Sequence, residues 1–188
     1  MRKLVVTEFV SLDGVMEAPG GDDGYVHGAW TMPFWGDEIG EFKTAEMVAA
    51  DALLLGRVTY QGFAAAWPER SGDEFSDKMN SMEKFVVSKT LTAAPWHNST
   101  ILRGDLVREI EELKARDGAD IIVHGSATLA QGLLHADLVD ELRLAVFPVT
   151  LGVGKRLFGP DTRLDFEVVD STLSGKGVVL TTYRRTAR

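Results

Sequence analysis

Two segments that join an apolar run to a helical pattern through Gly-x-x-Thr constrain the fold of this chain more than any other feature. The first covers residues 51–59 around Gly56, and the second covers residues 120–128 around Gly125. A strand that enters a helix through glycine leaves unpaired backbone N–H groups at the positive end of the helix dipole. Such a turn binds phosphate readily. Two of them predict a ligand with more than one phosphate, such as a dinucleotide.

Hydrophobic periodicity predicts alternating strands and helices on both sides of these turns. The predicted strands cover residues 3–10, 52–55, 84–88, 99–102, 120–124 and 141–147, and the predicted helices cover residues 37–49, 56–66, 105–116 and 127–135. Residues 70–82 are polar and are expected to form a loop or a short helix. Residues 166–173 and 178–184 form a predicted hairpin. This order indicates an α/β protein, one domain over residues 1–188, with a mostly parallel sheet flanked by helices.

Composition excludes several classes of function. The net charge of −8 argues against a nucleic-acid partner, because such proteins usually carry a basic face. The absence of cysteine excludes disulfides, thiolate nucleophiles and the usual zinc sites. No apolar run reaches the length of a membrane span, and the first strand does not suit a signal peptide. The expected location is the cytoplasm, with a small molecule as the substrate.

The residues at both turns resemble those of dihydrofolate reductases, which carry a Gly-Arg-x-Thr motif like that at residues 56–59 and a glycine turn like that at residues 124–128. Residues 11–14 (Ser-Leu-Asp-Gly) and 148–158 resemble a branch of this superfamily, the C-terminal reductase domain of the bifunctional riboflavin biosynthesis deaminase–reductase. The resemblance covers nearly the whole chain. It implies a dihydrofolate-reductase-like fold, NADPH as the hydride donor and a homodimer.

The resemblance also implies a set of cofactor contacts. Arg57 matches the residue that contacts the 2′-phosphate of NADPH, and a guanidinium beside a helix N-terminus suits a phosphate dianion. The N–H groups of residues 125–127 are expected to bind the pyrophosphate, and Thr59 is expected to cap its own helix. Residues 88–90 either complete the phosphate pocket or form an ordinary polar turn. The predicted cofactor-binding residues are Gly56, Arg57, Thr59, Ser88, Lys89, Thr90, Gly125, Ser126, Ala127 and Thr128.

A reductase also needs a proton source near the hydride-accepting atom. Dihydrofolate reductases use a carboxylate on the first helix, and Glu41 has the nearest spacing among the four acidic residues that this helix offers (Asp37, Glu38, Glu41 and Glu46). Asp13 in the Ser-Leu-Asp-Gly segment is the second candidate, although Asp-Gly is also a turn signal. His124 replaces the first glycine of the family's Gly-Gly pair and is interpreted mainly as a strand-end residue.

These features predict an NADPH-dependent reductase of a small heterocycle, similar either to 5-amino-6-(5-phosphoribosylamino)uracil reductase or to dihydrofolate reductase. Residues 61–68 lack the arginine that helps to hold a ribose phosphate in the riboflavin-pathway enzymes, so the substrate stays open between an aminopyrimidine and a pterin. The alternative is an NADP(H)-binding protein without turnover, acting as a sensor or assembly subunit. The glycine-rich loop 11–36 is predicted to be a mobile lid, or else a static loop whose aromatic residues fill the core.

Overall fold

The computed structural model describes residues 1–21, 24–160 and 162–186. The strands are β1 (Leu4–Ser11), β2 (Ala50–Gly56), β3 (Glu83–Val87), β4 (Ser99–Leu102), β5 (Asp120–His124), β6 (Glu141–Phe147), β7 (Phe166–Leu173) and β8 (Val179–Arg185). The α-helices are α1 (Asp37–Ala49), α2 (Arg57–Ala66), α3 (Glu74–Ser81), α4 (Leu106–Ala115) and α5 (Ala127–His135). Asp22 and Asp23, within the predicted lid, and the last two residues of the predicted domain lie outside the described residues.

All eight described strands belong to one sheet, in the order β4-β3-β2-β5-β1-β6-β8-β7. The six strands from β4 to β6 are parallel, and β8 and β7 follow as antiparallel neighbours. The predicted fold class is therefore confirmed, including the C-terminal antiparallel hairpin. Because the parallel strands all end at the same edge, the turns that follow them are brought together there.

Helices cover both faces of the sheet. On one face, α4 and α5 bury leucine and isoleucine side chains such as Ile110 and Leu133 against the strands. On the other face, α1, α2 and α3 contribute Met47, Tyr60 and Met79. The central strands are buried on both faces, as their nearly continuous apolar runs require.

The structure refines two predicted boundaries. β2 begins at Ala50 rather than at residue 52 and pairs with β5 through a register irregularity near its start. The polar segment 70–82 contains a true helix, α3, because the Asp73 carboxylate accepts a hydrogen bond of 2.9 Å from the Ser76 N–H and so caps its first turn. None of the helices in the described ranges is long and apolar enough to cross a membrane.

Candidate functional site at the carboxyl edge of the sheet

The two glycine turns lie side by side and are bonded to each other. β2 and β5 are neighbours in the sheet, so Gly56 and Gly125 follow adjacent strand ends. The Gly56 N–H donates to Ser126 Oγ at 2.9 Å, and the Ser126 N–H donates to Thr59 Oγ1 at 2.9 Å. Thr59 therefore caps the start of α5, and the expectation that it caps its own helix is wrong. The helix α2 begins without a side-chain cap.

A left-handed backbone and a close side-chain contact explain the glycine at position 125, whereas a Cβ at position 56 would make only an ordinary contact. Gly125 has a φ of +56°, and a Cβ there would lie 3.1 Å from Thr59 Cγ2. A Cβ on Gly56 would contact Ser126 at 3.5 Å. Ser126 itself is left-handed, with a φ of 60°, which is a costly conformation for a residue with a Cβ. Its N–H is already bonded to Thr59, so it is not free for a pyrophosphate, in contrast to the prediction.

Three cations follow the ends of three adjacent strands. Arg57 follows β2, Lys89 lies just after β3 and Arg103 follows β4, and all three are exposed. The Arg103 guanidinium is held in place by the carbonyl oxygens of Lys89, at 3.4 Å, and Leu91. Arg103 was missed at the level of sequence, where Arg57 was identified by its match to the family motif and its place beside a helix N-terminus.

The turn after β3 contains one buried residue, which shapes the turn, and two exposed residues. Ser88 is buried, and its Oγ accepts the N–H groups of Thr90 at 3.2 Å and Leu91 at 2.9 Å. This hydroxyl therefore shapes the turn, as the polar-turn alternative requires. Lys89 and Thr90 are exposed beside it. The side chains of this segment that reach solvent at the edge are thus those of Lys89 and Thr90.

Asp13 connects the loop after β1 with the loop after β6 through hydrogen bonds. Its carboxylate accepts hydrogen bonds from Ser11 Oγ at 2.7 Å, the Leu151 N–H at 3.0 Å and the Gly152 N–H at 2.8 Å. These bonds, with the Ser11 hydroxyl first, hold the pKa of Asp13 far below its ordinary value. A carboxylate that stays ionised is a poor proton donor, so the geometry favours a structural role for this residue.

Glu41 lies on the outer side of α1. It is exposed and lines an open pocket of about 810 Å³ that also includes Trp35, Asp37 and Val48. The opposite side of the same helix faces the sheet and buries Lys43 and Glu46. The structure therefore separates Glu41 from the buried acidic group of its own helix.

A buried polar cluster connects α1 with β1. Lys43 Nζ lies 2.8 Å from Glu46 Oε2 and also donates to Thr7 Oγ1. The Thr7 hydroxyl in turn donates to Glu46 Oε2 at 2.7 Å. The Lys43 ammonium stands 5.1 Å from the centre of the Phe9 ring. This triad of Thr7, Lys43 and Glu46 satisfies most of its own charge inside the protein.

Two further titratable side chains lie next to this triad. Glu8 follows Thr7 on β1, and His124 on β5 is the register partner of Thr7. Burial raises the pKa of Glu8 well above its ordinary value, against the opposing effects of Lys43 and the Gly125 N–H. Burial, together with the charge of Lys43, holds the pKa of His124 well below its ordinary value. Burial therefore favours the neutral form of both side chains. Glu8 was missed as a site residue, although a lone carboxylate in a valine-rich strand is a detectable signal.

The described part of loop 11–36 is extensively bonded. Residues 12–17 exchange backbone hydrogen bonds with residues 149–157, and Tyr25 Oη donates to the Val153 carbonyl oxygen at 2.6 Å. Trp30 is buried and packs edge-to-face on Phe147 at 5.3 Å. For Trp30 this supports the alternative in which the aromatic residues fill the core. The mobility of the loop stays a prediction.

The arrangement defines the class of fold. The chain is similar in structure to a dihydrofolate reductase. The Enterococcus faecalis enzyme complexed with NADP(H) superposes with a TM-score of 0.64 at 17% identity, covering 98% of this chain and 97% of that one. The chain thus has a dihydrofolate-reductase-like fold.

The family follows from the sequence match. The model of the RibD C-terminal domain matches residues 2–180, so the chain belongs to this family. A Shewanella sp. PV-4 structure provisionally assigned to riboflavin biosynthesis has a TM-score of 0.72 and 26% identity, over 98% of this chain and 99% of that one. Acinetobacter baumannii RibD has a TM-score of 0.70 at 16% identity, over 99% of this chain and 58% of its own. The uncharacterised Bacillus subtilis protein YyaP is 26% identical, over 97% of this chain and 94% of its own length.

Proposed function

We propose that this protein is an NADPH-dependent reductase of a small heterocyclic substrate of the aminopyrimidine or pterin class, acting in the cytoplasm. The observation that carries the proposal is the pair of bonded glycine turns, which place the start of α2 beside the start of α5 at the carboxyl edge of the sheet. Two adjacent helix N-termini concentrate positive dipole ends where a dinucleotide has its phosphates.

The residues of this edge fit the cofactor. Arg57, Lys89 and Arg103 supply positive charge along the ends of β2, β3 and β4, in a chain whose net charge is −8. Glycine at positions 56 and 125 leaves only the small side chains of Thr59 and Ser126 between the two turns. In this proposal Arg57 and Lys89 hold the 2′-phosphate, and the helix start at residues 127–128 faces the pyrophosphate. NADPH supplies a hydride to the substrate when it is bound.

Calorimetric titration tests the cofactor assignment. The wild type is expected to bind NADPH more tightly than NADH, because only NADPH has a 2′-phosphate for Arg57. Loss of one charge-assisted contact costs about 1.5–3 kcal/mol, so Arg57→Ala should weaken NADPH binding roughly ten-fold to a hundred-fold and leave NADH binding unchanged. Arg108→Ala, an exposed arginine on α4, is the matched control. Equal affinities of the wild type for both cofactors would contradict the proposal.

Turnover separates the reductase from its alternative. NADPH oxidation is measured with a panel of pterins, pyrimidines and quinones. Oxidation that depends on one of these acceptors supports the reductase. Tight NADPH binding without oxidation by any acceptor favours an NADP(H)-binding protein that acts as a sensor or assembly subunit.

The assembly proposed for this protein is a homodimer, with no nucleic-acid or membrane partner. Every residue of β7 after Phe166 is exposed. Since successive side chains of a strand point to opposite faces, this strand lacks cover on both faces from the described residues of its own chain. A second copy packed against β7 provides that cover.

A further inference from the structure

Glu8 is a buried carboxyl group whose role is not explained by its interaction with the Gly125 N–H. Its side chain lies in the middle of β1, between Thr7 and Phe9, and the residue is only 5% exposed. Among the described residues, Oε1 of Glu8 has no hydrogen-bond partner. Burying a carboxyl oxygen without a partner is unfavourable, so the presence of Glu8 in a strand of the central sheet requires an explanation.

The position of Glu8 is at an opening in the sheet. On one side, β1 pairs with β6 up to Ser11, but on the other side its pairing with β5 stops at Thr7 and His124. Glu8 is therefore the first residue of the free edge of β1, which we define as the side of residues 8–11 that β5 does not cover. The bonded glycine turns begin at Gly125, immediately after His124. The crevice beyond the carboxyl ends of strands is where ligands bind in open α/β sheets.

Buried side-chain atoms without hydrogen-bond partners belong to Glu8 and to two residues that interact with the same lysine, Lys43. Three such atoms in the described part of the chain are Glu8 Oε1, Glu46 Oε1 and His124 Nε2. They come from three different elements, β1, α1 and β5, and all are close enough to Lys43 to interact with its charge or hydrogen-bond to it. A group of buried acceptors is suited to a ligand, or a transferable proton, that supplies the missing donors.

Comparison of the carboxyl groups near the site favours Glu8 as a proton donor. Lys43 is already paired with Glu46 and bonded to Thr7. The charge of Glu46 therefore partly cancels the effect of the Lys43 charge on the pKa of Glu8. Burial raises the pKa of Glu8 and lowers that of His124, so it favours the protonated acid and the uncharged imidazole. Asp13 is held ionised by its hydrogen bonds, and Glu41 lies on the outer side of α1. Glu8 alone among these three carboxyl groups combines burial, a free oxygen and a position beside the turns.

We propose that Glu8 is the catalytic residue that donates the proton in this reduction, to the nitrogen or oxygen of a substrate C=N or C=O bond. The proposal rests on the reductase function proposed above. The carbon of that bond gains a hydride, which carries both electrons, while the O–H bond of Glu8 breaks and its proton forms the new N–H or O–H bond. The substrate is reduced, the cofactor is oxidised, and Glu8 is left as a carboxylate that regains a proton from water after product release.

Infrared spectroscopy tests the protonation state directly and needs no turnover. The difference spectrum between the wild type and Glu8→Gln isolates the carboxyl band of Glu8. With NADPH bound at pH 7, a protonated carboxylic acid band is expected, and it should disappear as the pH is raised. A Glu8 that is ionised at pH 7, with and without NADPH, would overturn the proposal. If Glu8→Gln does not fold, ¹³C-glutamate labelling of the wild type provides the same titration.

Kinetics test the role of the proton. With an acceptor that the wild type reduces, Glu8→Gln should lower kcat about 10²-fold or more and remove the alkaline decline of kcat, while NADPH affinity changes less than about two-fold. The control is Glu141→Gln, a buried glutamate at the amino end of β6 that pairs with Lys3 and Arg143. It should keep the wild-type kcat and pH profile.

The possible results are distinguishable. An active wild type whose kcat and pH profile survive in Glu8→Gln would overturn the donor role and leave the reductase function intact. A wild type that binds NADPH but reduces no acceptor would overturn the reductase function and the donor role together. If Glu8→Gln loses the alkaline decline of kcat and Glu141→Gln keeps it, the result supports both the reductase function and the donor role of Glu8.

Discussion

At the scale of single residues, Lys84 shows how the protein accommodates a buried charge. Its side chain is fully buried at the start of β3, and its ammonium donates to the carbonyl oxygens of Asn80 and Met82, both at 2.8 Å. These carbonyls end α3, so the cation lies at the negative end of that helix dipole. It also stands 4.4 Å from the centre of the Trp96 ring. Without a carboxylate partner, burial lowers the pKa of Lys84 to about 8.

This pKa predicts a stability that increases at alkaline pH. The folded state releases the Lys84 proton near pH 8, whereas the unfolded chain holds it to about pH 10.5. Between these values the unfolded state binds more protons, so the free energy of unfolding rises with pH, by at most about 3 kcal/mol. Urea unfolding from pH 7.5 to 10 measures it. Lys84→Met should abolish the rise, and Lys89→Met, at an exposed lysine, should retain it. A rise that persists in Lys84→Met would assign it to another group.

At the scale of elements, the connection between α2 and α5 decides the geometry of the candidate site. Each turn satisfies a backbone donor of the other, through Gly56 and Ser126 in one direction and through Ser126 and Thr59 in the other. The two helix starts therefore keep a fixed separation before any ligand binds. A site built this way loses less freedom on binding than one built from independent loops.

Removal of the Thr59 hydroxyl is expected to loosen this connection. Thr59→Val keeps the shape of the side chain but leaves the Ser126 N–H without its acceptor, which should lower the free energy of unfolding by about 1–3 kcal/mol. NADPH affinity should fall as well, because the starts of the two helices are no longer held together. Thr59→Ser should restore both properties. Thr100→Val, at an exposed threonine on β4, controls for the substitution itself, and unfolding and titration curves that match the wild type would refute the role of this bond.

At the scale of the whole molecule, β7 is an edge strand that exposes several large apolar side chains. Val168 is 61% exposed, Val169 45% and Leu173 69%, and the strand forms one edge of the sheet. An exposed edge strand with apolar side chains tends to associate. This is the surface on which the proposed homodimer depends.

Light scattering measures the assembly. The wild type is expected at twice the chain mass of 20.6 kDa. Val168→Lys and Val169→Lys, which place charge on the exposed side chains of β7, should each shift the protein toward the monomer. Val107→Lys on α4 should leave the dimer unchanged. A wild type that stays monomeric at high micromolar concentration would exclude this assembly.

Much of the fold could be predicted from local patterns. The boundaries of β1, α1 and β5 agree with the predicted ones within about one residue, because apolar period, glycine and capping residues act over a few positions. The two turns were identified for the same reason. Residues 70–82, for which the sequence left a loop or a short helix open, contain a helix whose first turn is capped by Asp73.

The sequence by itself determined the α/β class, the alternation of strands and helices that gives a mostly parallel sheet, and the two glycine turns. These features depend on residues that are neighbours along the chain. Only the tertiary structure decided what the polar side chains do. Asp13 was predicted as a proton donor, but the loop around residue 151 surrounds it with donors. Glu8 resembled an ordinary strand residue until the structure showed that β5 pairs with β1 only as far as Thr7 and that one oxygen of the buried Glu8 carboxyl has no partner among the described residues. Burial and hydrogen-bond partners, which set the pKa of a carboxyl group, come from residues far apart in the chain, and no local pattern contains them.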